Sequence, residues 1–177
     1  MHEDTTDEEL RTNVRAHLPQ LHKMPTHVRE MPIREVVPRL VDHIVGEGVP
    51  CPACKQRCKM YRRKVTSAMA VWLVKMVLVW DGTGRDWVQS NHPELKNRGG
   101  DYAKLQLWGL IRAPKNTKRA GRWQPTKLGH RFANKKATIH KYAFTYNDKY
   151  LGKRGEQITI DDALGSKFNR DEIEVAL

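Results

Sequence analysis

The chain of 177 residues contains no run of about 18 apolar side chains, so no segment reads as a transmembrane helix. Its opening, MHEDTTDEEL, is acidic and polar. A secretory leader needs a basic start and an apolar middle, so a cytoplasmic protein is expected. Cysteine occurs only three times, and in a reducing compartment metal binding is favoured over disulfide formation. A GxSxG elbow and a Walker P-loop are missing, and DGTGRD is too short and acid-flanked to cradle phosphate. Zinc-deaminase signatures are absent as well, and no HNH-like histidine array can be placed. Acids are scarce through the middle of the chain: Asp81, Asp86, Glu94, Asp101 and Asp148 all lie near turns or caps. No two carboxylates therefore share an apolar setting in which one would act as general acid and the other as base. The expectation is a protein that binds rather than catalyses. No internal repeat or low-complexity tract appears.

What the chain does have is positive charge, and it is concentrated. The formal net charge is +12. Residues 51–154 hold 24 Lys and Arg against 5 Asp and Glu, an excess of 19, whereas the first 50 residues come to −3 and the last 23 to −4. A basic block between acidic ends attracts polyanions, nucleic acid above all.

Periodicity and caps place the elements. A short amphipathic helix is expected over residues 4–18, capped by Thr5 or Thr6. A proline-containing linker follows, then a helix around PRLVDHIVGEG. KMYRRK reads as a strand. From Thr66 or Ser67 to about Trp80, apolar residues cover nearly the whole helical circumference, the mark of a central core helix. DWVQS reads as a short strand, GDYAKLQLWGLI as a helix, IRAPKNTKRAGRWQPT as two strands around a basic turn, and TKLGHRFAN as a helix capped by Thr126. ATIHKYAFTYN alternates like a strand, Asn147–Asp148 signals a turn, and EQITI reads as a last short strand. The segments are 1–48, a helical region with linker; 49–64, a cysteine knuckle; 65–155, a basic domain; and 156–177, an acidic tail.

The cysteines stand in VPCPACKQRCKMYRRK. A Cys-x2-Cys turn lets two thiolates converge on a tetrahedral Zn²⁺. Cys51 and Cys54 have that spacing, Cys58 extends it, and Lys55, Arg57 and Lys59 offset thiolate charge. The second Cys-x2-Cys pair of a complete site is missing, so a histidine must supply the fourth ligand. His43 is nearest in sequence, and His92 is the alternative. An incomplete knuckle without metal, with Cys58 outside the ligand set, is the competing reading. His17, His22, His27, His130 and His140 read as surface or half-buried polar residues.

Core helix, short strand, second helix and basic hairpin, in that order, form the layout of a winged helix-turn-helix, an α+β fold. Helix 101–110 exposes Lys104 and Gln106, with Arg98 just before it. These residue types read base edges or hold phosphates. The wing, 112–122, brings Arg112, Lys115, Lys118, Arg119 and Arg122, and each phosphate neutralised adds about 0.9 to the log–log salt slope. Arg62, Arg63 and Lys64 stand at the junction of knuckle and core helix, and are expected to contact the nucleic acid that the helices grip. Solvated lysines at a hairpin tip are the ordinary alternative. Tyr61, Trp87, Trp123 and Tyr142 are stacking candidates for an unpaired strand, with core packing the expected role of each.

Four stretches, CPAC…YRRKVTSAMA, GDYAKLQLWGLI, GRWQPTKLGHRF and DALGSKF, carry a resemblance. From Cys51 to about Phe168 the chain resembles a group of uncharacterised phage and prophage proteins. WGLI…W.PTKLG is similar to winged-helix domains more broadly. The resemblance implies a phage or mobile-element origin, and hence a host-cell cytoplasmic location, and brings no firm molecular function. Duplex DNA is the expected partner. A phage effector that binds and inhibits or redirects a host protein is the alternative.

Overall fold

The computed structural model describes residues 4–17, 40–51, 55–84, 86–95, 100–114 and 121–175. The fold is α+β and falls into two compact units. Unit 1 comprises residues 1–63 and 142–155, and unit 2 comprises 64–141 and 156–177. Charge along the chain suggests four consecutive segments, but the units interleave: residues 142–155 join the first 63. Among the described residues, no helix is long and apolar enough to cross a membrane.

In unit 1, helix α1 (Asp7–Ala16) starts at Thr6, whose hydroxyl accepts from Glu9 N while Glu9 accepts from Thr6 N, a capping box. Leu10 and Val14, one turn apart, are buried. They meet Val41 and Ile44 of the short helix α2 (residues 40–45), together with Met60, Phe144, Tyr146 and Leu151. Strands β1 (Val49–Pro50) and β2 (Arg57–Cys58) form a two-stranded ribbon. Strands β3 (Tyr61–Lys64), β7 (Ile139–Tyr146) and β8 (Lys149–Ile158) form a sheet in the order β3–β7–β8. EQITI is thus no separate strand; Glu156–Ile158 end β8. Asn147 and Asp148 adopt φ 47° and 59°, the left-handed pair that a tight hairpin requires. The lead-in to α1 is tied to β8: Thr5 N donates to Lys153 O at 2.8 Å, and Lys153 N donates to Thr5 Oγ1 at 2.9 Å.

Unit 2 is organised around α3 (Ser67–Gly82), capped by Thr66. Its buried residues Met69, Ala70, Trp72, Leu73, Val74, Met76, Val77 and Val79 point to all sides, because other elements of the unit surround it. Strands β4 (Val88–Gln89), β5 (Ile111–Arg112) and β6 (Arg122–Pro125) form an antiparallel sheet with β6 in the centre. The segment expected as a helix over 101–110 is a 3₁₀ helix, Gly100–Trp108. Tyr102, Leu105 and Trp108 recur at steps of three, so a three-residue turn aligns them in one ridge, which an α-helix would splay. Tyr102 stacks on Trp72 at 4.4 Å, and Leu105 and Trp108 are buried. Gly109, at φ 70°, ends the segment.

Helix α4 (Lys127–Ala133) follows β6 directly. Within the acidic end, helices α5 (Ile160–Leu164) and α6 (Arg170–Val175) bury Ile160, Leu164 and Ile173 within unit 2. Buried Arg170 donates through Nε to Ala133 O and through Nη2 to Asn134 Oδ1, at the C-terminal end of α4. Its cation sits where helix carbonyls gather.

Candidate nucleic-acid interface and cysteine ribbon

Alternation along the strands gives the unit 2 sheet two chemically different faces. Pairings Val88–Trp123 and Ile111–Pro125 lie on the buried face, while Gln89–Arg122 and Arg112–Gln124 lie on the other. Both described arginines of the expected wing therefore point away from the core. Arg112 donates through Nε and Nη2 to Gln124 Oε1 at 3.1 and 2.6 Å, and its guanidinium lies 5.8 Å from the Trp87 ring. That cross-strand bond fixes the fork's plane and leaves one terminal nitrogen, Nη1, outside it. Lys115, Lys118 and Arg119, like Arg98 and Cys54, lie outside the described residues.

On the 3₁₀ segment, Gln106 is exposed and its amide donates to Ala103 O at 3.2 Å. Lys104 is half-buried and pairs with Asp101 at 2.5 Å, so it must release that carboxylate to meet a phosphate. Two cationic side chains and a histidine without a place among the expected contacts stand beside the outer sheet face. Lys127, His130 and Arg131 of α4 share a concave surface of about 570 Å³ with Arg112 and Gln124, floored by Trp80 and Pro125. His130 Nε2 lies 3.1 Å from Asp81 Oδ2. Lys127 and Arg131 stand four residues apart on a helix, so the sequence already puts them on one face. What it does not give is the turn that brings this face beside the wing.

That turn depends on Thr126 and Gly129. The Thr126 hydroxyl donates to Gly109 O at 2.6 Å and accepts from Gly129 N at 3.0 Å. A Cβ on Gly129 would stand 1.9 Å from Leu110 O, so no other residue lets α4 approach this closely. The T..G pattern is thereby a packing requirement between α4 and the end of the 3₁₀ segment.

The basic run after the cysteines splits between the units: Arg62 and Arg63 belong to unit 1, Lys64 to unit 2. Arg62 lies over the Tyr142 ring at 4.7 Å, and Arg63 lies 4.9 Å from the Tyr61 ring centroid. Of the four aromatics weighed for stacking, Trp123 is buried, Tyr142 packs against the unit 1 core, and Trp87 is half-buried. Tyr61, expected to cover the core, instead leaves 43% of its surface exposed. Met60, the residue before this strand, is the one buried in the unit 1 core.

At the ribbon, Lys55 N donates to Cys51 O at 2.9 Å and Cys51 N donates to Gln56 O at 2.7 Å, with Lys55 at φ 62°. These two bonds bring Lys55 and Gln56 back against Cys51. Since Val49 pairs with Cys58, and Cys51 is two residues from Val49, both cysteines belong to one face of the ribbon. His43 is exposed on α2, while its neighbours Val41 and Ile44 face the core. The cavity against Cys51 and Cys58 is lined by His17 instead. His92 belongs to unit 2, where its Nδ1 accepts from Glu94 N at 3.3 Å. Among the described residues, no three His, Cys, Asp or Glu side chains are grouped closely enough to hold a metal. No family model matches the chain, and no curated protein or solved structure matches it either.

Proposed function

We propose that this is a non-catalytic nucleic-acid-binding protein of phage or mobile-element origin, with unit 2 gripping duplex DNA as a winged helix-turn-helix. The observation that carries the reading is the order and polarity of unit 2. Helix, strand, helical segment and hairpin follow one another, and the hairpin's solvent face presents Arg112 and Arg122. In such a fold the helical segment enters the major groove and the wing touches flanking phosphates. Arg98, Lys104 and Gln106 take the first role; Arg112, Lys115, Lys118, Arg119 and Arg122 take the second. Lys127 and Arg131 extend the basic surface beyond the wing. Cys51, Cys54 and Cys58 hold a structural Zn²⁺, with a histidine completing the set: His43, or His17 from the same cavity.

The test is binding to labelled duplex at about 50 and 200 mM salt, where six to ten phosphate contacts weaken affinity by about 10³ to 10⁵. The double variant Arg112→Glu/Arg122→Glu should lower the log–log salt slope by about 2 and weaken duplex binding at both salt concentrations. A flat salt response, or an unchanged slope in a variant with intact circular dichroism, would overturn the reading.

One observation favours the alternative, a phage effector docking on a host protein. Phe168 is 44% exposed and lines a cleft with Val71, Trp72 and Leu95. Weak binding to duplex, single strand and RNA alike, with the fold intact, is the result that reading requires.

A further inference from the structure

Unit 1 contains a basic, aromatic surface that duplex binding by unit 2 leaves unused. Tyr61 and Arg63 are two residues apart on β3 and so share a face, with the guanidinium 4.9 Å from the ring centroid. They stand on the rim of the cavity of about 290 Å³ already described against Cys51, Cys58 and His17, whose lining also includes Arg57, Lys59, Asn147 and Asp148. Its lining carries three Lys or Arg side chains against one carboxylate. Arg57 Nη2 donates to Glu47 O at 2.8 Å, which anchors that guanidinium on the ribbon while Nη1 and Nε remain outside the bond.

We propose that this surface binds single-stranded nucleic acid, with Tyr61 as the platform on which an unpaired base stacks and Arg57, Lys59 and Arg63 holding the flanking phosphates. Three features point to that occupant. An exposed ring gains from a base with a bare face, and in a duplex every base is already stacked on its neighbours. Arg63 on Tyr61 joins the cation to the stack and holds the ring upright. The cations Arg57, Lys59 and Arg63 stand beside the ring and outnumber the one carboxylate, Asp148, which suits a phosphate chain running past a base stacked on Tyr61. An acidic peptide would use the cations and leave the ring idle. The site does not depend on the duplex reading of unit 2, and the two fail separately.

The test uses the full chain and fluorescent oligothymidylate and oligouridylate of about 15 nucleotides, within the span of single-strand sites. Tyr61→Ala should weaken both by about tenfold or more, while Tyr61→Phe, which keeps the ring, stays within about twofold of wild type. Arg63→Gln should weaken binding and lower its salt slope. Tyr61→Ala leaves duplex affinity unchanged, and Arg112→Glu/Arg122→Glu leaves single-strand affinity unchanged. Loss of one oligonucleotide's binding and not the other's assigns the sugar class. Unaltered single-strand affinity in Tyr61→Ala, absent binding by the wild-type chain, or displacement by a polyglutamate peptide and not by unlabelled strand overturns the proposal. Should Tyr61→Ala fail to fold, photocrosslinking of wild-type chain to a 5-iodouracil strand decides the matter. An adduct on Tyr61 supports the site, and adducts confined to unit 2 overturn it.

Discussion

Gly129 shows how much can rest on one missing side chain. Its neighbour Leu110 O occupies the space a Cβ would need, at 1.9 Å, and the obstacle is backbone, which cannot rotate away. Gly129→Ala is expected to destabilise the chain by about 3 kcal/mol, the upper range of overpacking, by pushing α4 off the 3₁₀ segment. Thermal and urea melts of the full chain check this; an unchanged midpoint would refute it. Thr126 is legible in the sequence as a helix cap. The close approach at Gly129 is not, because Leu110 comes from a different element. Tyr61 teaches the converse. A tyrosine between an apolar residue and two arginines reads as core cover, yet Met60, just before the strand, takes the core position and the ring stays outside.

At the scale of the element, local chemistry governs. Thr6 with Glu9 and Thr159 with Asp162 are both capping boxes. Each carboxyl is held below its ordinary range, chiefly by the backbone N–H of its threonine and then by the hydroxyl, with Lys141 adding an attraction at Asp162. A folded-state pKa below the unfolded one gives stability that is present above about pH 4 and lost as pH falls through the lowered value. Glu9→Gln/Asp162→Asn should therefore flatten the acid limb of melting temperature against pH, relative to wild type. Superimposable acid limbs would count against the caps. The 3₁₀ segment is where local reading falls short. A single step of three, Leu105 to Trp108, suits either helix type, and Tyr102, stacked on Trp72 of α3, extends it to the ridge that a three-residue turn keeps straight.

Across the whole molecule, charge and metal remain. Part of the basic excess is balanced within unit 2 by the acidic end: Lys135 pairs with Asp161 at 3.4 Å and Asp171 at 3.7 Å, Lys141 with Glu156, and Arg170 with Glu174. The acidic end thus holds α5 and α6 within unit 2, and the cations on the outer face of the sheet are those that the proposed nucleic-acid contact would use. The proposed zinc belongs at this scale, because a metal on the ribbon would tie Cys51, Cys54 and Cys58 together. A chelator should lower the melting temperature, the more so the tighter the metal; at a hundredfold excess over Kd the loss is about 2.7 kcal/mol. Cys51→Ser should lose zinc and stability together, read by elemental analysis and melting. His17→Ala and His43→Ala then identify the fourth ligand. No bound zinc, with an unchanged melting curve in Cys51→Ser, would remove the metal from the account.

The sequence by itself determined the caps, the all-round apolar core helix, the turn at Asn147–Asp148 and the concentration of charge, since each depends on residues a few positions apart. Tertiary structure alone decided that residues 142–155 close the core begun by α1, that the acidic end folds into unit 2, and that α4 lies beside the basic hairpin. Those outcomes hang on contacts between distant stretches, such as Thr5 on Lys153 and Gly129 on Leu110. Local periodicity carries no information about which distant surface will fill a given face.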